Sequence, residues 1–91
     1  MLVITYDIKS DKLRTKFSKY LSKFGYRLQY SVFQIENSTR LLNNIRIKIE
    51  GSFAKEFQES DSVIIFHLSG TCKKYYFGYA VHEKEELIFV N

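Results

Sequence analysis

Ninety-one residues suffice for one compact domain with a modest core, here residues 1–91, and exclude a second. A composition of 45% hydrophobic and 26% charged residues, with eight Phe and seven Tyr, excludes a disordered chain, and a single cysteine, Cys72, excludes an intrachain disulfide or an all-thiolate zinc centre. The net charge of +4 arises in residues 11–24, where Lys12, Arg14, Lys16, Lys19 and Lys23 face Asp11 alone; such a local excess attracts polyanions, nucleic acid foremost.

The first stretch, "MLVITYDI", alternates Leu2, Ile4, Tyr6 and Ile8 with Val3, Thr5 and Asp7, which predicts a strand with one apolar and one mixed face. It shows no basic leader or cleavage site, and no apolar run approaches the roughly 18 residues of a membrane span, so a cytoplasmic protein without membrane contact is expected. "SDKLRTKFSKYLSKFG" then changes period. Leu13, Phe17, Tyr20 or Leu21, and Phe24 recur at helical spacing, with Ser10 or Asp11 as N-cap and Gly25 in the place of a C-cap glycine. Lys12, Lys16, Lys19 and Lys23 follow one residue behind the apolar stripe, about 100° around the helix, and form a ridge facing outward.

Residues 26–36, "YRLQYSVFQIE", return to β character, and "NSTRLLNNIRIKIEGSFAKEF" returns to helix, capped by Asn37 or Ser38. Its row of Leu41, Ile45, Ile49, Phe53 and Phe57 runs through Gly51, where the helix bends or stops, since a mid-helix glycine costs about 1 kcal/mol against alanine. "DSVIIFHL" is an unambiguous strand, "TCKKYYFGYA" fits a helical turn or a short strand, and "ELIFVN" reads as a final strand. The order suggests an α+β, ferredoxin-like βαββαβ domain with an additional C-terminal strand. That arrangement requires two strands within residues 26–36, so either a tight hairpin turns near Tyr30 and Ser31 or one long strand bends there. A small domain of this kind gains by burying a further apolar face in a symmetric copy, and a homodimer is expected.

In this fold both helices cover one sheet face, and Val3, Thr5 and Asp7 point away from them. Asp7 then has two readings. It ends the strand and leads into a turn, as Asp often does, or it meets its own copy across a two-fold interface, where paired carboxylates invite a proton or a divalent ion, magnesium being the natural one. Asp11 is explained by a helix-start role.

The run "VITYDIKSDKLRTKFSKYLSKFGYRLQYSVFQIE" resembles the small CRISPR-associated adaptation protein, often described as an endoribonuclease, that partners the spacer integrase. The matching elements are Tyr6 and Asp7 closing an apolar strand, Arg14 early in a basic helix, Gly25, and "QYSVFQIE" from Gln29; Gln34 departs from the pattern, where many relatives carry Glu. The resemblance implies a homodimer packed through sheet faces, with residues 87–90 extending the partner's sheet, and a magnesium ion between the two copies of Asp7. It also implies either a metal-dependent endonuclease acting on single-stranded RNA or duplex DNA, with Asp7 as catalytic metal ligand, or a bridge between integrase subunits that grips the prespacer duplex.

The lysine ridge favours the bridge, because lysines along one helix contact phosphates without reading bases. Arg14 and Arg27 join it as bidentate phosphate candidates. Ser31 and Phe33 belong to the family block and are candidates for shaping the site. His67 and His82 have no partner in sequence, and no general base can be named. The rival reading is a stand-alone RNA-binding or metal-dependent nuclease module unrelated to CRISPR. Against an RNA-recognition module, "QYSVFQI" lacks the Gly-and-aromatic signature, and the Tyr75, Tyr76 and Tyr79 cluster suits core or interface.

Overall fold

The computed structural model describes residues 1–78. In chain order it contains β1 (Leu2–Asp7), α1 (Asp11–Leu21), β2 (Gly25–Gln29), β3 (Val32–Ile35), α2 (Thr39–Gly51), a short 3₁₀ turn (Phe53–Glu56), β4 (Ser62–His67) and β5 (Lys73–Gly78). The five strands form one sheet in the order β2-β3-β1-β4-β5, every neighbouring pair antiparallel. This is the ferredoxin-like α+β architecture with an added strand. Tyr79, His82 and the expected strand at residues 87–90 lie outside the described residues.

Period-2 alternation decides which face of the sheet is covered. Leu2, Ile4 and Tyr6 of β1, Phe33 and Ile35 of β3, and Val63 and Ile65 of β4 turn inward to meet Leu13, Phe17 and Leu21 of α1 and Leu42, Ile45 and Ile49 of α2. The aromatic centre of this core is Phe17, edge-on to Tyr6 at 5.1 Å between centroids and to Phe53 at 4.9 Å. The alternate residues Val3, Thr5, Val32, Ile64, Phe66 and Tyr76 remain half-buried on the opposite face, over which no described helix lies.

Three expectations are resolved or corrected. A tight hairpin at Tyr30 and Ser31 supplies the second strand between the helices, with a register shift in β2 between Arg27 and Gln29. The stretch after Cys72 is a strand rather than a helical turn. The second helix stops at Gly51, after which Ser52 leaves helical geometry (φ −136°), and Phe53 and Phe57 reach the core from a 3₁₀ turn and its end.

A fourth expectation, that of Gly25, is corrected. The helix α1 ends at Leu21, earlier than its sequence pattern suggests. Ser22, Lys23 and Phe24 close it by donating to the carbonyls of Ser18, Tyr20 and Leu21. Gly25 is therefore no C-cap; it opens β2, where a Cβ would lie 2.0 Å from the Gln34 carbonyl oxygen and 2.9 Å from Ile35 Cα. Close backbone approach, not left-handed geometry, requires glycine there.

Candidate functional site

Asp7 closes β1 on the face turned away from the helices. Its side chain is 65% exposed, with Lys9 Nζ 3.4 Å from Oδ1. Directly across the sheet from it stand Ser62 of β4 and then Gly78 of β5, both on the same face because antiparallel partners share one. Gly78 has φ +139°, and a Cβ there would fall 2.3 Å from the Asp61 carbonyl oxygen. The carboxylate thus borders two small residues, Ser62 and Gly78.

The backbone on both sides of Asp7 is tied down. On one side, Tyr6 N–H donates to the Ser31 carbonyl at 3.1 Å. On the other, Lys9 N–H donates to Asp61 Oδ1 at 2.9 Å, while Asp61 Oδ2 accepts from Gln58 N–H at 2.7 Å. Asp61 is fully buried, and sequence reasoning passed it over. An acid placed just ahead of a β-branched strand looks like an ordinary strand-edge residue.

Arg14 does not reach outward with the lysines. Its side chain is 24% exposed and folds back over the β1–α1 connection, donating to the carbonyl of Ile8 at 2.9 Å and of Lys9 at 3.5 Å and pairing with Asp11. That bond to Asp11 raises the guanidinium further above its already high ordinary value, so the charge is permanent. Arg27 donates to Ser18 Oγ at 3.2 Å and lies over the Phe33 ring. Together with Tyr6, Thr15, Ser18 and Tyr30 the two arginines line a cleft of about 140 Å³. Burial pushes the Tyr6 phenol above its ordinary value, against the opposing pull of the Arg27 charge, and its hydroxyl remains a protonated donor 3.5 Å from the Tyr30 carbonyl. Two fixed cations beside hydroxyl groups suit an anionic oxygen.

On α1, Lys12, Lys16 and Lys19 are exposed along one side, and Lys23 continues them from the turn beyond the helix end. Lys16 Nζ lies 3.4 Å from Glu56 Oε2, an exposed pair easily exchanged for a phosphate. Lys48 of α2 stands beside this surface, 5.9 Å from the ring centroids of both Tyr20 and Phe53. It carries the basic surface onto the second helix, and its position one residue before the buried Ile49 was the signal for it.

The remaining candidates are placed differently. Phe33 is buried in the core and stacks on Tyr6 at 6.3 Å, so it acts from beneath the sheet surface, whereas Ser31 touches the site through its backbone carbonyl. His67 Nε2 lies 3.1 Å from Asn37 Oδ1 at the surface, far along the sheet from Asp7, its register partner being Leu2. Tyr75 packs against the core beneath the Arg46 guanidinium at 4.3 Å, in keeping with a core position.

Among the described residues no three His, Cys, Asp or Glu side chains converge as a metal-binding group. On the sheet face turned from the helices, Asp7 is the one carboxylate among the described strand residues. Such a donor set fits half of a site shared with a second copy and does not fit a metal centre of its own. No described helix is long and apolar enough to cross a membrane.

The chain is similar to known proteins. Residues 1–75 match a family model described as CRISPR associated protein Cas2. The chain is 37% identical over 73 residues to CRISPR-associated endoribonuclease Cas2 2 of Methanospirillum hungatei, covering 79% of this chain and 76% of that relative. It is 34% identical over 70 residues to CRISPR-associated endoribonuclease Cas2 3 of Synechocystis sp. (77% and 73% covered), and 38% identical over 55 residues to CRISPR-associated endoribonuclease Cas2 of Thermus thermophilus (60% and 58% covered).

Proposed function

Because the chain belongs to the Cas2 family of CRISPR-associated proteins, we propose that it works in spacer acquisition as a homodimer that grips the backbone of duplex DNA and bridges integrase subunits. In the same dimer, the two Asp7 carboxylates form a magnesium-dependent centre for phosphodiester cleavage of single-stranded RNA or duplex DNA.

One observation carries this reading: Asp7 stands exposed on the half-buried apolar face that no described helix covers, beside the small residues Ser62 and Gly78. A two-fold contact through that face buries Val3, Thr5, Val32 and Ile64 against their copies and brings each Asp7 towards its twin. Magnesium held there would supply charge stabilisation on the scissile phosphate and an activated water. The protein's own residues orient the substrate. The lysines of α1 and Lys23 hold phosphates, and the Arg14–Arg27 cleft, on the helix side of the sheet, accepts a phosphate oxygen.

The bridging role and the cleavage role separate cleanly by experiment. End-labelled single-stranded RNA and duplex DNA are incubated with the protein and magnesium, beside the Asp7→Ala variant, with sedimentation reporting the oligomeric state. Cutting that is lost with Asp7→Ala is the expected outcome. Equal cutting by both proteins, or by neither, removes the case for Asp7-dependent catalysis and leaves the backbone-gripping bridge. A monomer at micromolar concentration overturns the dimer.

A further inference from the structure

Asp61 is the fully buried charged residue of the described chain, and neither the basic surface nor the Asp7 site uses it directly. Its two oxygens are spent on two backbone amides from different parts of the chain, Lys9 N–H at 2.9 Å and Gln58 N–H at 2.7 Å. The first belongs to the connection that follows Asp7; the second belongs to the turn leading into β4. That strand begins at Ser62, the residue paired with Asp7 across the sheet. From the opposite side Arg14 holds the same connection through the Ile8 and Lys9 carbonyls.

We propose that Asp61 is a positioning residue for Asp7. By accepting the Lys9 amide it fixes the backbone two residues beyond the carboxylate, so that Asp7 is held at the sheet surface instead of swinging with a loose loop. A charged acceptor suits the task, because a bond between a carboxylate and a backbone amide is stronger than one between neutral groups. One oxygen serves each amide, so an asparagine can satisfy only one of them. The inference rests on the reading of Asp7 as a metal ligand, and its test keeps the two apart.

The test reads manganese binding, by the loss of the free-ion spin-resonance signal, on the full chain in its wild-type form and as Asp7→Ala, Asp61→Asn and Ile45→Val. Hydrogen exchange at the Lys9 amide is followed in parallel. Asp7→Ala is expected to abolish binding. Asp61→Asn is expected to weaken it by about tenfold, the lower range for residues that orient a ligand from behind, and to speed Lys9 exchange while the β1–β4 ladder stays protected. Ile45→Val, a mild loss from the distant core of α2, is expected to leave binding unchanged. An ester in place of the Ile8–Lys9 amide removes the donor and keeps the Asp61 charge, while leaving the Ile8 carbonyl in place as a weaker acceptor for Arg14. It is expected to reproduce the Asp61→Asn loss, and it serves in place of that variant should the latter not fold.

Binding within twofold of wild type in Asp61→Asn or in the ester overturns the positioning role, as does an equal loss in Ile45→Val, which assigns the effect to general stability. Unchanged binding in Asp7→Ala instead overturns the reading of Asp7 itself.

Discussion

Neutralising the middle of the lysine ridge, as Lys16→Gln with Lys19→Gln, offers a quantitative check on the proposed grip of this chain on a duplex. Lys12, Lys16, Lys19 and Lys23 are all exposed on one side, so each can meet one phosphate. Each such contact contributes about −0.9 to the slope of log affinity against log salt, so four give about −3.6 and two about −1.8. For the ridge alone, raising salt from about 50 to about 200 mM then weakens binding roughly 150-fold in the wild type and only about 12-fold in the variant. The Lys16–Glu56 pair at 3.4 Å subtracts little, since exposed pairs of this kind are worth under about 1 kcal/mol. A dimer that lays both ridges on one duplex doubles both slopes and preserves their ratio. Fluorescence anisotropy with duplexes of unrelated sequence, titrated at several salt concentrations, measures the slopes directly. Parallel slopes for wild type and variant would falsify the ridge as a phosphate-contacting surface, and so would a strong preference for one sequence.

Gly78→Ala places a Cβ against the Asp61 carbonyl at 2.3 Å in a backbone conformation, φ +139°, that side chains rarely adopt, and is expected to cost about 1–3 kcal/mol in urea unfolding. An alanine that leaves the midpoint unchanged refutes the account of that close approach. The phenols of Tyr6 and Tyr20, both pushed above their ordinary value of 10.0 chiefly by burial, hold their protons to higher pH in the folded chain than in the unfolded one. Their contribution to stability is therefore complete below about pH 10 and is lost as pH rises through the folded-state values. Tyr6→Phe with Tyr20→Phe should make the alkaline fall in stability shallower above that pH, and an identical pH profile in the two proteins refutes it.

Local pattern reaches a long way into this protein. The strict alternation of β1 was enough to send Tyr6 to the core and Asp7 to the other face, because side chains along a strand take opposite sides whatever the strand packs against. The start of α1 was equally legible: Ser10 accepts from Leu13 N–H at 3.2 Å, a bond between residues three apart that needs no distant partner. The lysine ridge followed from helical spacing alone, and the buried row of α2 was read to within one residue, Leu42 rather than Leu41 lying deepest.

What the pattern could not reach depends on segments far apart in the chain. Gly25 looks like a helix cap until β3 is seen pressing its backbone against it. Arg14 shares its helix with exposed lysines but turns inward, because carbonyls of the β1–α1 connection and the Asp11 carboxylate offer its planar fork partners that an ammonium would meet less well. Asp61 gives no local sign that it is buried, since its partner Lys9 lies fifty-two residues away and the bond exists only once β4 has paired with β1. Composition and periodicity determined the layers, the covered face and the charge of this protein, all of which are set by neighbours along the chain. Which polar groups are held in place around Asp7 was decided by strand pairing, because a hydrogen bond between distant backbones exists only after the sheet has brought them together.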